Sequence, residues 1–159
     1  MTVIEDLRPC PGRGYGIHRD GMTTDVSPGS DKVSLLIGAP VARVRAEANL
    51  RDVAAVMVER CVGALVVGER QGLAAGIVSE RDLVRALAEA RDPLTTRAGD
   101  IASTRLLWCD ADATIAEVAT EMMDAYVRHI LVEDRGRLIG IVSARDVLGA
   151  YASADLDDI

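Results

Sequence analysis

The chain has 159 residues, 49% of them hydrophobic, and a formal net charge of −7 at pH 7. That size and apolar content suit one ordinary domain or two very small ones, and no apolar run approaches the roughly 18 residues of a membrane-spanning helix. The acidic balance, with no basic run and a close in Asp155, Asp157 and Asp158, offers a phosphate backbone little attraction and speaks against nucleic acid as a partner.

Residues 1–30, which include RPCPGRGYGIHRDGMTTDVSPGS, are rich in Gly, Pro and Ser and have no apolar period, so they read as a flexible arm. Tyr15 and His18 belong to this arm; contact with a ligand or partner is the alternative to a mobile tail. Glu5 and Asp6, with no apolar segment beside them, do not read as a secretory signal, and the expected location is the cytoplasm. Cys10, Cys61 and Cys109 lack CxxC spacing and leave an odd thiol after any pairing. This speaks against a disulfide framework and a zinc site, for a reducing compartment, and for Cys61 and Cys109 as buried inert thiols.

From residue 50 the chain acquires a period. LRDVAAVMVER places Leu50, Val53, Ala54, Met57 and Val58 on one helical face. A short apolar run, ALVV, follows; then come a turn with Gly68 and Gly72, a second run, LAAGIV, and a helix over residues 81–91. RDPLTTRAGD, with Pro93, leads onward, and the order returns: a strand over 106–109, a helix over 115–126, strands over 129–132 and 138–142, and a helix over 145–151.

The return is also one of residues. A shift of 65 lays Val53 on Val118, Met57 on Met122 and Val62 on Val127; one residue is then absorbed, expected in the Gly-rich turn, and a shift of 64 lays GIVSERDL (76–83) on GIVSARDV (140–147). Two units of about 50 residues are each too small to bury much surface alone and should pack together. The expected division is an arm over 1–30, repeats over 31–93 and 94–154, and an acidic tail over 155–159.

In GIVS-x-RD the Ser stands at a helix N-cap and the Asp at the third helical position, so capping alone accounts for Ser79 with Asp82 and Ser143 with Asp146. The same helix start also suits an anion, with Ser as donor, Arg as charge and Asp as acceptor for ribose hydroxyls. Neither GxxxxGK[ST] nor GxGxxG occurs, and spacing alone leaves both readings open. Ser79 and Ser143 lie outside any GxSxG elbow and no histidine stands as their base, so no enzyme is indicated. A lone His129 with no second His or Cys at ligand spacing does not indicate a metal. Trp108, in LLWC, reads as a packing or interface residue.

The tandem GIVSERDL and GIVSARDV, with the preceding VGALVV and VRHILV, resemble a pair of CBS domains, the βαββα units that associate as a Bateman module. The resemblance covers residues 32–151. It implies an α/β (α+β) fold of two repeats packed pseudo-symmetrically, and a regulatory or sensory module of the stand-alone kind, with no required cofactor. Such a module binds an adenosine-containing ligand (AMP, ADP, ATP, NAD or S-adenosylmethionine) in clefts between the repeats and signals to a target protein; a ligand-free interaction module is the alternative.

Carried over by residue, Asp82 and Asp146 match the ribose-binding aspartate and Ser79 and Ser143 the hydroxyl beside it. Arg81 and Arg145, with Arg128 and His129, are phosphate candidates, and the adenine is expected near Val44, Ala64, Cys109 and Ile130. A homodimer is the family expectation. Where many members have proline before the turn this chain has Val66 and Leu131, and where the second copy has Arg128 and His129 the first has Gly63 and Ala64, so the two sites should not be equivalent.

Overall fold

The computed structural model describes residues 28–70 and 73–154. The arm and the acidic tail of the sequence reading lie outside these residues, apart from residues 28–30.

Each copy builds a three-stranded sheet with two flanking helices. In the first, β1 (Arg43–Val44) pairs parallel with β2 (Ala64–Arg70), and β2 pairs antiparallel with β3 (Leu73–Ser79). Between them run α1 (Leu50–Arg60) and, after β3, α2 (Glu80–Ala88); a short α3 (Ala98–Ile101) follows. The second copy repeats the plan with β4 (Trp108–Asp110), α4 (Ile115–Asp124), β5 (His129–Asp134), β6 (Arg137–Ser143) and α5 (Ala144–Ala154). The expected βαββα order is present in both.

Local chemistry sets the helix ends. The Asn49 side chain accepts from Asp52 N at 2.9 Å and opens α1. Thr114 and Glu117 form a reciprocal capping box at α4, where Glu117 N donates to Thr114 Oγ1 at 3.2 Å and Thr114 N donates to Glu117 Oε2 at 2.8 Å. The latter bond holds the Glu117 carboxyl below its usual pKa. The helices expected to reach Arg91 and Tyr126 stop earlier, because Ala90 (φ 55) and Tyr126 (φ 55) take left-handed backbone. Cys61 likewise ends α1 at φ 52; it is exposed and disulfide-bonded, in place of the expected buried thiol in a reducing compartment.

Strand alternation divides the apolar residues among three clusters. Leu65 and Val67 of β2 face Val53, Met57, Val78 and Ala98, while Ile130 and Val132 of β5 face Ile115, Val118, Met122, Val142 and Val147. Val66 and Leu131, on the opposite faces of the same strands, meet Ala74, Trp108, Leu138 and Ile141 in a layer between the lobes. Both faces of β2 and β5 are therefore covered, which is why ALVV and ILV are unbroken apolar runs.

The lobes exchange segments. Val33 and Leu36 pack in the core of the second lobe, where Val33 N donates to Ala113 O at 2.8 Å and Ile115 N to Asp31 O at 2.9 Å. Ala98 packs in the core of the first, with Ala98 N donating to Ala48 O at 2.7 Å.

Candidate functional site

β3 ends where α2 begins, and that junction forms one wall of a cleft of about 170 Å³ lined by Ile77, Ser79, Arg81, Asp82 and Arg85. The linker crosses between the lobes as a second wall. Ser103 exchanges backbone hydrogen bonds with Ile77 of β3 at 2.9 and 3.0 Å, and Leu107 O accepts from Leu131 N of β5 at 3.0 Å. Ser103, Arg105, Leu106 and Leu107 thereby line the cleft. The third wall, from the other lobe, is the α4 to β5 turn with Tyr126, Val127, Arg128 and His129, and Leu131 beyond it.

Asp82 Oδ2 accepts from Ser79 N at 2.8 Å and from Ser79 Oγ at 2.6 Å. This leaves Oδ1, 3.7 Å from Arg85 Nη1, as the oxygen able to accept from a ligand. Ser79 spends its hydroxyl proton on Asp82, so it can only accept unless that bond breaks. Arg81, Arg105 and Arg128 are exposed and form no ion pair among the described residues.

His129 is half-buried and faces both repeats: its Nε2 and the Glu80 carboxylate both stand over Gly63, 3.7 and 3.4 Å from where a β-carbon would be. Burial pushes the imidazole below its usual pKa and Arg128 adds to this, against opposing pulls from Asp146, Glu80 and Asp82. His129 is therefore neutral at pH 7.

The second junction repeats the chemistry in a different setting. Asp146 is 7% exposed, and its Oδ2 accepts from Ser143 N and Ser143 Oγ, each at 2.7 Å. Over the neighbouring Gly140 lies the Ile37 side chain, so close that an added β-carbon would meet it at 2.7 Å; the corresponding neighbour of Gly76 is the small Ala102.

The structure thus brings Ser79, Arg81, Asp82, Arg128 and His129 into one cleft and leaves Ser143, Arg145 and Asp146 outside its lining. The residues expected near adenine are not in that lining: Cys109 and Ile130 are in the second lobe's core, Val44 packs against the first lobe's core, and Ala64 is buried. Burial also pushes the free Cys109 thiol up to about 11, aided by Glu121. The sequence reading missed Arg85, Arg105, Ile77, Leu106 and Tyr126. For the two arginines a signal existed: at the shifts of 64 and 65 they stand opposite Gly149 and Pro40.

A model of the CBS domain matches residues 34–89 and again 98–153. The chain belongs to the CBS-domain family. Hypoxic response protein 1 of Mycobacterium tuberculosis is 33% identical over 113 residues, which are 70% of this chain and 79% of that one. Among solved structures, the CBS domain protein PAE2072 from Pyrobaculum aerophilum, complexed with AMP, superposes with a TM-score of 0.66 at 26% identity, covering 77% of this chain and 99% of that one. Hypoxic Response Protein I, with two coordinated zinc ions, superposes with a TM-score of 0.63 at 31% identity, covering 74% and 97%. Among the described residues of the present CBS pair, no three His, Cys, Asp or Glu side chains gather as a metal-holding group. No described helix is long and apolar enough to cross a membrane.

Proposed function

We propose that this CBS pair is a non-catalytic sensor that binds an adenosine-containing ligand in the Ser79 cleft and passes the bound state to a target protein. We also propose that it works as a homodimer. The observation that carries the ligand reading is the make-up of the cleft. A helix start with a ribose-competent carboxylate oxygen, Asp82 Oδ1, faces Arg105 and Arg128, which have no carboxylate partner among the described residues, across a linker that belongs to both lobes. The base would lie on the apolar wall of Ile77, Leu106, Val127 and Leu131, and the phosphate against the arginines. The AMP complex of PAE2072 supports that ligand class. Because the walls come from both lobes, a bound ligand favours one lobe arrangement by its differential affinity, which is the signal a partner can read.

At the second junction Ile37 stands over Gly140 where Ala102 stands at Gly76, so we assign one ligand to each chain. Isothermal titration with AMP, ATP, NAD and S-adenosylmethionine tests the reading. At least one nucleotide should bind, Asp82→Ala should weaken it by about tenfold or more, and Asp146→Ala should weaken it less. No heat from any of them in a folded protein would sink the reading in favour of a ligand-free interaction module.

A further inference from the structure

The cleft is lined by more arginines than the repeated motif supplies. Its lining contains Arg81, Arg85, Arg105 and Arg128 against a single carboxylate, Asp82, while His129 is neutral. Glu80 and Asp146 stand close behind, at His129, yet the lining itself is cationic in a chain whose net charge is −7. Like charges gathered in one cleft repel, and three of these arginines form no ion pair among the described residues that would offset the repulsion.

The comparison between copies isolates the cause. Arg81 has a counterpart in Arg145, but Arg85, Arg105 and Arg128 stand opposite Gly149, Pro40 and Gly63. Three of the four charges are thus additions beyond the shared motif, all directed to the same cleft although they come from α2, the linker and the turn before β5. A phosphate monoester carries roughly −1.5 to −2 at neutral pH and few oxygens for guanidinium groups from three separate elements, whereas each added phosphate supplies about one further negative charge and more acceptor oxygens.

We infer that the Ser79 cleft selects a nucleoside di- or triphosphate over the monophosphate, with Arg85, Arg105 and Arg128 as the selecting residues. This rests on the nucleotide reading above. Titration calorimetry of the full chain with adenosine, AMP, ADP, ATP and inorganic tripolyphosphate tests it.

ADP or ATP should bind about tenfold or more tightly than AMP. Arg105→Ala and Arg128→Ala should shrink that ratio towards one, and the ratio should fall with added salt. Arg137→Ala, on the exposed β5–β6 hairpin, should leave the ratio unchanged. AMP binding as tightly as ADP and ATP would overturn the polyphosphate assignment and leave the nucleotide reading standing. Absence of binding by adenosine and all three nucleotides would overturn both. Tripolyphosphate binding as tightly as ATP would overturn the assignment as well, since the nucleoside would then contribute nothing.

Discussion

His129 is the residue at which the two repeats meet electrically. It pairs in register with Ser143, stands over Gly63 beside Glu80, and feels Asp82 and Asp146 from the two helix starts and Arg128 from its own turn. Burial and Arg128 outweigh the three carboxylates and depress its pKa below the 6.5 of a free imidazole. The folded state then binds fewer protons than the unfolded state as pH falls below that value, so stability is lost in that direction and is fully present above it. Wild-type Tm should fall more steeply than that of His129→Gln as pH goes from about 7.5 to about 5. Thermal denaturation of both across that range decides the matter, and equal slopes would refute it. Ligand binding should act oppositely on this group, since an anion beside the ring favours the imidazolium.

At the scale of elements, the strands and the longer helices were legible because their periods are local. α1, β2, β3 and the second set follow from short unbroken apolar runs and from i, i+3, i+4 spacing. The one-residue difference between the copies is legible in the sequence, but it does not fall in the turn where a Gly-rich stretch points. In both hairpins two residues separate the last paired positions, Arg70 with Leu73 and Asp134 with Arg137, and the second turn carries positive φ at Arg135 and Gly136. The missing residue is taken up inside the ladder, where the register shifts between Val132 and Glu133. A deletion within a strand would otherwise turn every later side chain to the wrong face, and a bulge restores the facing.

The Ile37 contact was invisible in the sequence because it joins residues 37 and 140 through the segment exchange, which no local period reports. It predicts that Gly140→Ala costs about 1–3 kcal/mol, because Ile37 is β-branched and cannot easily swing aside. In an Ile37→Ala background the same change should cost far less. Urea unfolding of the four proteins in a double-mutant cycle measures this, and additive costs would refute the contact's role.

At the scale of the whole molecule, the exchange of Val33 and Ala98 makes each lobe complete only in the presence of the other's segment. The same duplication that builds the core also patterns the outside. Val84 and Leu87 on α2 and Leu148 and Tyr151 on α5 are exposed and correspond at the shift of 64, and Val58 on α1 and Met123 on α4 correspond at 65. Six exposed apolar side chains repeated by one internal symmetry are not the scattered singles that any surface tolerates.

A second copy, carrying the same patches, is the occupant that fits both halves at once, because a two-fold interface needs a self-complementary surface and the internal repeat already supplies one. The chain should therefore sediment as a dimer at micromolar concentration. Leu148→Glu, at a side chain 69% exposed and hence without a packing role inside the subunit, should shift it to monomer with little change in far-UV circular dichroism. Analytical ultracentrifugation of the two proteins reads the outcome. A wild-type monomer, or a dimer untouched by Leu148→Glu together with Leu87→Glu, would show that these helical faces are not where the copies join.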